Sequence, residues 1–180
     1  MTDEYLLLQK YMKGDLSAQY QIYDTYKSMW FSIALRYLKG KDDASDALQN
    51  ALIKIYGKLN LFKPESGQFK TWSSKIVVNE CIMYQRKYWK KAAFQEITDD
   101  MNWTTDEETP ISRMTTQEMV NQVQKLPDGY RLVFNLYSIE GYSHKEIGKM
   151  LDISEGTSKS QLFKARKILK GKIESMFNNV

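Results

Sequence analysis

The stretch Ser143-His144-Lys145-Glu146-Ile147-Gly148-Lys149-Met150-Leu151-Asp152-Ile153-Ser154-Glu155-Gly156-Thr157-Ser158-Lys159-Ser160 decides the fold. Ser143 followed by Glu146 is a capping box: the serine oxygen accepts an orphan N–H of the first turn while the glutamate reaches back to the serine N–H. A helix starts there, with Ile147, Met150 and Leu151 facing inward and Gly148 removing side-chain bulk where a second helix crosses closely. Asp152-Ile153-Ser154 makes a turn, with Ile153 as its buried plug and Ser154 as the next N-cap. In the helix from Glu155 onward, Ser158, Leu162, Ala165, Leu169, Ile173 and Met176 follow one packing stripe. Lys159, Ser160, Phe163, Lys164, Arg166 and Lys167 lie on or beside the other face, and from Lys159 to Lys172 six residues are basic and none acidic. Such a helix suits the major groove of DNA: its cations neutralise phosphates, while Thr157, Lys159 and Ser160 near its N-terminus are best placed for base edges. A basic amphipathic helix can also be a plain solvated face. The capped helix-turn-helix spacing favours the DNA reader.

Upstream of this motif the chain keeps helical period. From Asp15 to Leu38 the residues Ile22, Tyr23, Tyr26, Trp30, Ile33, Ala34, Tyr37 and Leu38 recur at three- and four-residue steps, and Gly40 ends the pattern. A second helix begins near Asp42 and Asp43, whose carboxylates suit the positive end of the helix dipole, with the stripe Ala44, Ala47, Leu48, Ala51, Leu52, Ile55 and Leu59. Leu61 to Gly67 carries Pro64 and Gly67 and reads as a loop. A third helix runs from about Gln68 to Lys91 and ends in the cation-rich Arg86-Lys87-Tyr88-Trp89-Lys90-Lys91, cations that the dipole alone would favour. Gln95 to Glu108 holds six acidic residues and no basic one, without helical period, and reads as an exposed linker. Helical pattern resumes at Met119, Val120, Val123 and Leu126, and Pro127 opens a helix carrying Tyr130, Val133, Phe134, Leu136 and Tyr137, closed by Glu140-Gly141-Tyr142. No stretch shows the period-two alternation of a strand, so the fold class is all-α.

Composition agrees. The chain has 180 residues, 42% of them hydrophobic, with 3 prolines and 9 glycines, which suits two compact helical domains better than a disordered or fibrous chain. The single cysteine, Cys81, and single histidine, His144, leave no internal disulfide and no His/Cys metal cluster, so no cofactor is expected. Asp3 and Glu4 precede only a short apolar run, with no basic n-region and no stretch able to cross a bilayer, so a cytoplasmic, non-inserted protein is expected. No P-loop or nucleophile triad is present, and His144 is expected to be an exposed residue in the first turn of a helix. An enzyme is therefore not expected.

The residues also carry a family resemblance. Asp43-Ala44-Ser45-Asp46-Ala47-Leu48-Gln49, Gly67-Gln68-Phe69-Lys70-Thr71-Trp72, Ile76-Val77-Val78-Asn79 and Arg86-Lys87 resemble region 2 of bacterial sigma factors. Leu126-Pro127, Gly141 to Gly148 and Glu155-Gly156-Thr157-Ser158-Lys159-Ser160 resemble region 4. The spacing lacks room for a region 3, as in the extracytoplasmic-function group. The chain departs from the common pattern at Asn50, Leu52, Met83, Ser158 and Gln161, where glutamate, phenylalanine, aspartate, valine and arginine are frequent. The resemblance implies region 2 over residues 1–92, an acidic linker over 93–114 and region 4 over 115–180.

It also implies roles. Asp46, Gln49, Asn50 and Ile53 lie opposite the apolar stripe of the second helix, so an isoleucine sits beside polar groups where no core needs it, which marks a docking face. By resemblance its partner is the pair of clamp helices of the RNA polymerase beta-prime subunit, contacted by Asp43, Asp46, Gln49 and Ile53, while region 4 meets the beta flap. The melted minus-ten strand would meet the loop with Phe62, Lys63, Ser66 and Gly67, backed by Lys75, Asn79, Arg86 and Lys87, and the loop would receive a flipped base. Phe69 and Trp72 could be stacking platforms, but their helical spacing with Ile76 favours the core. The helix-turn-helix would read a minus-thirty-five element as duplex. An anti-sigma factor is a further possible partner of this group. The linker, with Asp99, Asp100, Asp106, Glu107 and Glu108, is either a solubilising tether or a segment threading the RNA channel of polymerase. The alternative to a polymerase specificity subunit is a stand-alone repressor or activator using the same helix-turn-helix.

Overall fold

The computed structural model describes residues 3–89 and 116–177, and every regular element among them is helical. The all-α expectation holds. The chain divides into two compact units, Met1–Gln85 and Arg86–Val180. The acidic stretch from Gln95 to Glu108, with the readings attached to it, lies outside the described residues.

The first unit is built from α1 (Asp3–Met12), α2 (Leu16–Tyr37), α3 (Lys41–Gly57) and most of α4 (Phe69–Trp89). Asp15 starts α2, its carboxylate accepting the Ser17 N–H at 2.9 Å and the Ser17 hydroxyl at 2.7 Å. The stripe expected on α2 buries Ile22, Trp30, Ile33, Ala34 and Tyr37, while Tyr23 stays exposed. On α3 the alanines Ala44, Ala47 and Ala51 are fully buried with Leu48 and Ile55. Small residues there let the α3 backbone come close to α2, on which it packs.

An aromatic cluster closes one end of this core. Phe69, at the first position of α4, is fully buried and meets Trp30, Tyr26, Phe62 and Trp72 with ring centroids 5.4 to 6.4 Å apart. The buried Trp30 Nε1–H donates to Ser73 Oγ at 3.0 Å, so the indole brings no unpaired donor into the core. The core reading of Phe69 is correct, and Trp72 is half-buried beside it. Cys81 is buried on α4, and burial pushes its thiol up to about 12, so it is a thiol rather than a reactive thiolate at neutral pH.

α1 is not anticipated by the sequence reading. Its run Tyr5-Leu6-Leu7-Leu8 buries only Leu8, and it is held on α2 by a hydrogen bond from the Tyr26 hydroxyl to the Glu4 carboxylate. A ten-residue helix of this kind forms through the neighbour it packs on rather than through its own propensity.

The second unit contains α5 (Thr116–Gln124), α6 (Asp128–Phe134), a π-helical turn (Asn135–Ile139), α7 (His144–Leu151) and α8 (Glu155–Phe177). Val123, Leu126, Ala165 and Leu169 form the centre of its core, with Tyr130, Phe134 and Ile168 packed around them. The helix opened by Pro127 does not stay α-helical through Tyr137. It widens after Phe134, and the Glu140 N–H reaches back five residues to the Asn135 carbonyl at 3.0 Å.

Arg131 is an interior cation of this unit. Its side chain is 1% exposed, and its two Nη groups donate to the Leu126 carbonyl at 3.0 Å and to Asp128 Oδ1 at 2.8 Å. Burial lowers the guanidinium pKa and the Asp128 carboxylate opposes that shift. The pair ties the start of α6 to the carbonyl that precedes it.

Candidate nucleic-acid interface

The helix-turn-helix has the caps its sequence requires. Ser143 Oγ accepts the Glu146 N–H at 3.3 Å, and Glu146 Oε2 accepts the Ser143 N–H at 2.8 Å and its hydroxyl at 2.6 Å. These bonds hold the Glu146 carboxyl below the ordinary carboxylate range. Replacing Ser143 with Ala is expected to destabilise the second unit by about 1 kcal/mol in urea denaturation, since the first turn of α7 loses its side-chain acceptor.

At the turn Asp152 adopts a left-handed conformation (φ 60°, ψ 49°), which aspartate tolerates better than most residues. The Asp152 and Ile153 N–H groups both donate to the Gly148 carbonyl. The close approach at Gly148 is to this turn rather than to a crossing helix: a Cβ there would lie 2.9 Å from the Ile153 carbonyl oxygen. Ile153, expected to be a buried plug, is half-buried. Ser154 caps α8 by accepting the Thr157 N–H at 2.9 Å.

On α8, Ser158, Leu162, Ala165, Leu169 and Ile173 are buried as expected. Met176 is a correction: it is 40% exposed in the last turn of α8, where Gln122 Nε2 of α5 reaches its sulfur at 3.5 Å. Gln161 is buried as well, its Oε1 packed where a side chain on Gly129 would stand. On the opposite face Lys159, Arg166 and Lys167 are exposed and Ser160, Phe163 and Lys164 half-buried. Several of these side chains are already held. Thr157 Oγ1 lies 2.8 Å from Ser154 Oγ, Ser160 Oγ donates to the Thr157 carbonyl at 3.0 Å, and Lys159 pairs with Glu155 at 2.8 Å. The Lys159 pair is solvent-exposed and contributes little, so it opens at small expense when a phosphate competes.

His144 departs from the simple exposed residue expected of it. Its ring stacks on Tyr137, centroids 4.4 Å apart and 20° between planes, and its Nδ1 lies 2.9 Å from Oγ of the fully buried Ser158. Burial first, then Lys159 and finally Arg166, hold its pKa below the ordinary histidine value, with Glu155 opposing, so the imidazole is neutral at pH 7. The available signal was Ser158 itself, a polar residue in an otherwise apolar stripe.

In the first unit, α3 presents Asp43, Asp46, Gln49, Asn50 and Ile53 exposed, spaced three and four residues apart on one face. Ile53 is 71% exposed. Asp43 accepts the Tyr84 hydroxyl at 2.8 Å, which fixes the edge of that face to α4, and Lys54 beside it pairs with the buried Glu80 at 2.6 Å. Between α3 and α4, Gly67 has φ 143°, a backbone that favours glycine, and ends a short 3-10 turn over Pro64–Ser66. Lys63, Ser66 and Gly67 are exposed there. Phe62 is half-buried, with ring contacts to Phe69 at 5.6 Å and Trp72 at 5.5 Å, so it roots the loop in the core. Along α4, Lys75, Asn79, Met83 and Lys87 are exposed at four-residue intervals and form one ridge, with Arg86 half-buried beside it.

These two sets of surfaces coincide with two family models. Residues 22–91 match the family described as Sigma-70 region 2, and residues 116–169 match Sigma-70, region 4. The chain belongs to the sigma-70 family. Its relatives place it in the extracytoplasmic-function group. It is 26% identical over 187 residues to the ECF RNA polymerase sigma-E factor of Haemophilus influenzae, covering 98% of this chain and 97% of that one. The sigma-E factor of Escherichia coli strain K12 is 26% identical over 193 residues, with 98% and 96% covered. Two solved structures share the fold: CnrH in complex with the cytosolic domain of CnrY (TM-score 0.51, 18% identity, 96% and 97% covered), and RpoE in complex with the anti-sigma factor NepR from Bartonella quintana (TM-score 0.50, 19% identity, 86% and 95% covered). Sigma factors are non-catalytic transcription initiation factors. Among the described residues no helix is long and apolar enough to cross a membrane.

Proposed function

We propose that this sigma factor binds core RNA polymerase and directs it to promoters by reading a minus-thirty-five element as duplex and a minus-ten element as melted strand. The observation that carries this reading is the pairing of a capped helix-turn-helix, with cations on the free face of α8, and a rooted loop beside a cationic ridge on α4. Thr157, Lys159 and Ser160 reach base edges, Lys164, Arg166 and Lys167 hold the phosphates, and Phe163 makes an apolar contact with the duplex beside them. Lys63, Ser66 and Gly67 line the loop that takes an extruded base over Phe62, while Lys75, Asn79, Arg86 and Lys87 hold the strand's backbone. Asp43, Asp46, Gln49 and Ile53 dock on the beta-prime clamp helices, and region 4 meets the beta flap. The domain limits are 1–92 and 115–180, and the protein works in the cytoplasm. An anti-sigma factor is a further partner, a reading supported by the complexes in which similar folds have been solved.

The test is transcription of fragmented bacterial genomic DNA by core polymerase with and without the full chain, followed by sequencing of transcript 5′ ends. Starts that appear only with the chain and share two upstream elements are expected. Alanine at Lys159, Ser160 and Lys164 should alter the upstream element and leave the downstream one. No chain-dependent starts, together with tight duplex binding by the chain alone, would instead indicate a stand-alone repressor.

A further inference from the structure

We infer that Tyr137 is a positioning residue for Arg166, holding its guanidinium ready for a DNA phosphate, and that His144 and Ser158 hold Tyr137. The inference rests on the reading of α8 as the DNA-facing helix and adds to it a reason for the π turn and for the polar pair in the motif's core. Arg166 is exposed, and its guanidinium carbon lies 5.7 Å from the centroid of the Tyr137 ring. That distance is within the range of cation–π attraction. A stacked guanidinium engages the ring through its face and keeps its N–H edge free, which is the edge that bonds phosphate oxygens. A free arginine surrenders rotamer entropy when it binds, and one already resting on a ring surrenders less.

Tyr137 can act as a rest because it is itself held. Its ring stacks on His144, and His144 Nδ1 meets the Ser158 hydroxyl, which has no exposure to solvent. Both ends of this relay stand on α8, with Ser158 and Arg166 about 12 Å apart along the helix axis. The relay passes outward through α7 at His144 and through the π turn at Tyr137 before returning to α8. The charged groups facing the imidazole are Lys159, Arg166 and Glu155 from α8; a neutral ring adds no repulsion to the guanidinium nearby. A continuous α-helix through residues 135–139 would rotate Tyr137 by a different angle, so the widened turn and the stack belong together.

The experiment is a double-mutant cycle on the full chain, measuring fluorescence anisotropy with a short labelled duplex of mixed sequence at low salt. Phosphate contacts are sequence-independent, so the promoter need not be known. Tyr137→Leu and Arg166→Gln are each expected to weaken binding about fivefold, and the double variant no more than Arg166→Gln alone. Tyr137→Phe, which keeps the ring, should bind like the unaltered chain. Thermal unfolding is followed for each, and Tyr137→Met replaces Tyr137→Leu in the cycle if the leucine variant melts early. Additive losses in the double variant, or a Tyr137→Phe that binds as weakly as Tyr137→Leu, would overturn the inference. Arg166→Gln with unchanged affinity would instead remove Arg166 from the DNA face and overturn the reading beneath it.

Discussion

Placing arginine at Asp46 and alanine at Ile53 in one chain should abolish its capture by core RNA polymerase while leaving its helical circular dichroism unchanged. Ile53 is 71% exposed and serves no core, so truncating it removes nothing that stabilises the fold. Burying such a side chain against a partner contributes about 1.5–3 kcal/mol, and losing a close interfacial charge contact costs about 2–5 kcal/mol more. The sum, about 4–8 kcal/mol, lowers affinity by roughly three to six orders of magnitude, enough to turn stable association into none that a pull-down retains. The two positions are two helical turns apart on the same face of α3, so the double change acts at two separate points of the exposed set. Retention of the double variant by polymerase at the wild-type level would show that this face docks on something else.

Arg131→Ala is the second large effect expected, this time on folding. The guanidinium holds the Leu126 carbonyl and the Asp128 carboxylate from inside the second unit. Removing it leaves a cavity and the Leu126 carbonyl without its donor, and truncating so large a buried side chain costs about 3–5 kcal/mol, while the partly exposed Asp128 is left to water. Against a typical domain stability of about 5–15 kcal/mol, that loss unfolds the unit at moderate urea. Arg131→Met, which keeps volume but not the donors, should cost less, because part of the loss is packing. Urea denaturation followed by circular dichroism reads both, and an Arg131→Ala midpoint within experimental scatter of the parent would show the buried cation to be dispensable. Duplex binding should fall with the folded fraction, since α8 rests on α6 and α7.

The parts of the candidate site that were legible in the sequence are those built by neighbours along the chain. Ser143 and Glu146 are three residues apart, as are Ser154 and Thr157, so their caps follow from spacing alone. The exposed face of α3 and the ridge of α4 are likewise consequences of a 3.6-residue period. The π turn was not legible, because the run from Tyr130 to Tyr137 has an ordinary helical pattern. Ser158 was placed on the packing stripe by its spacing, but its partner His144 was not, and Gln161, another departure from the family pattern, turns out to be buried against Gly129.

The helix-turn-helix therefore stands on two footings. That it exists, where its helices start and which face of α8 carries the cations were determined by the sequence itself, because hydrogen bonds and periodicity within four residues specify them. That Gly148 accommodates its own turn, that Lys159 is paired, that Met176 lies beyond the core and that Arg166 rests on Tyr137 were decided only by the tertiary structure. Those facts depend on how closely one helix approaches another and on which rotamer the packing leaves available, and neither quantity is encoded by local spacing.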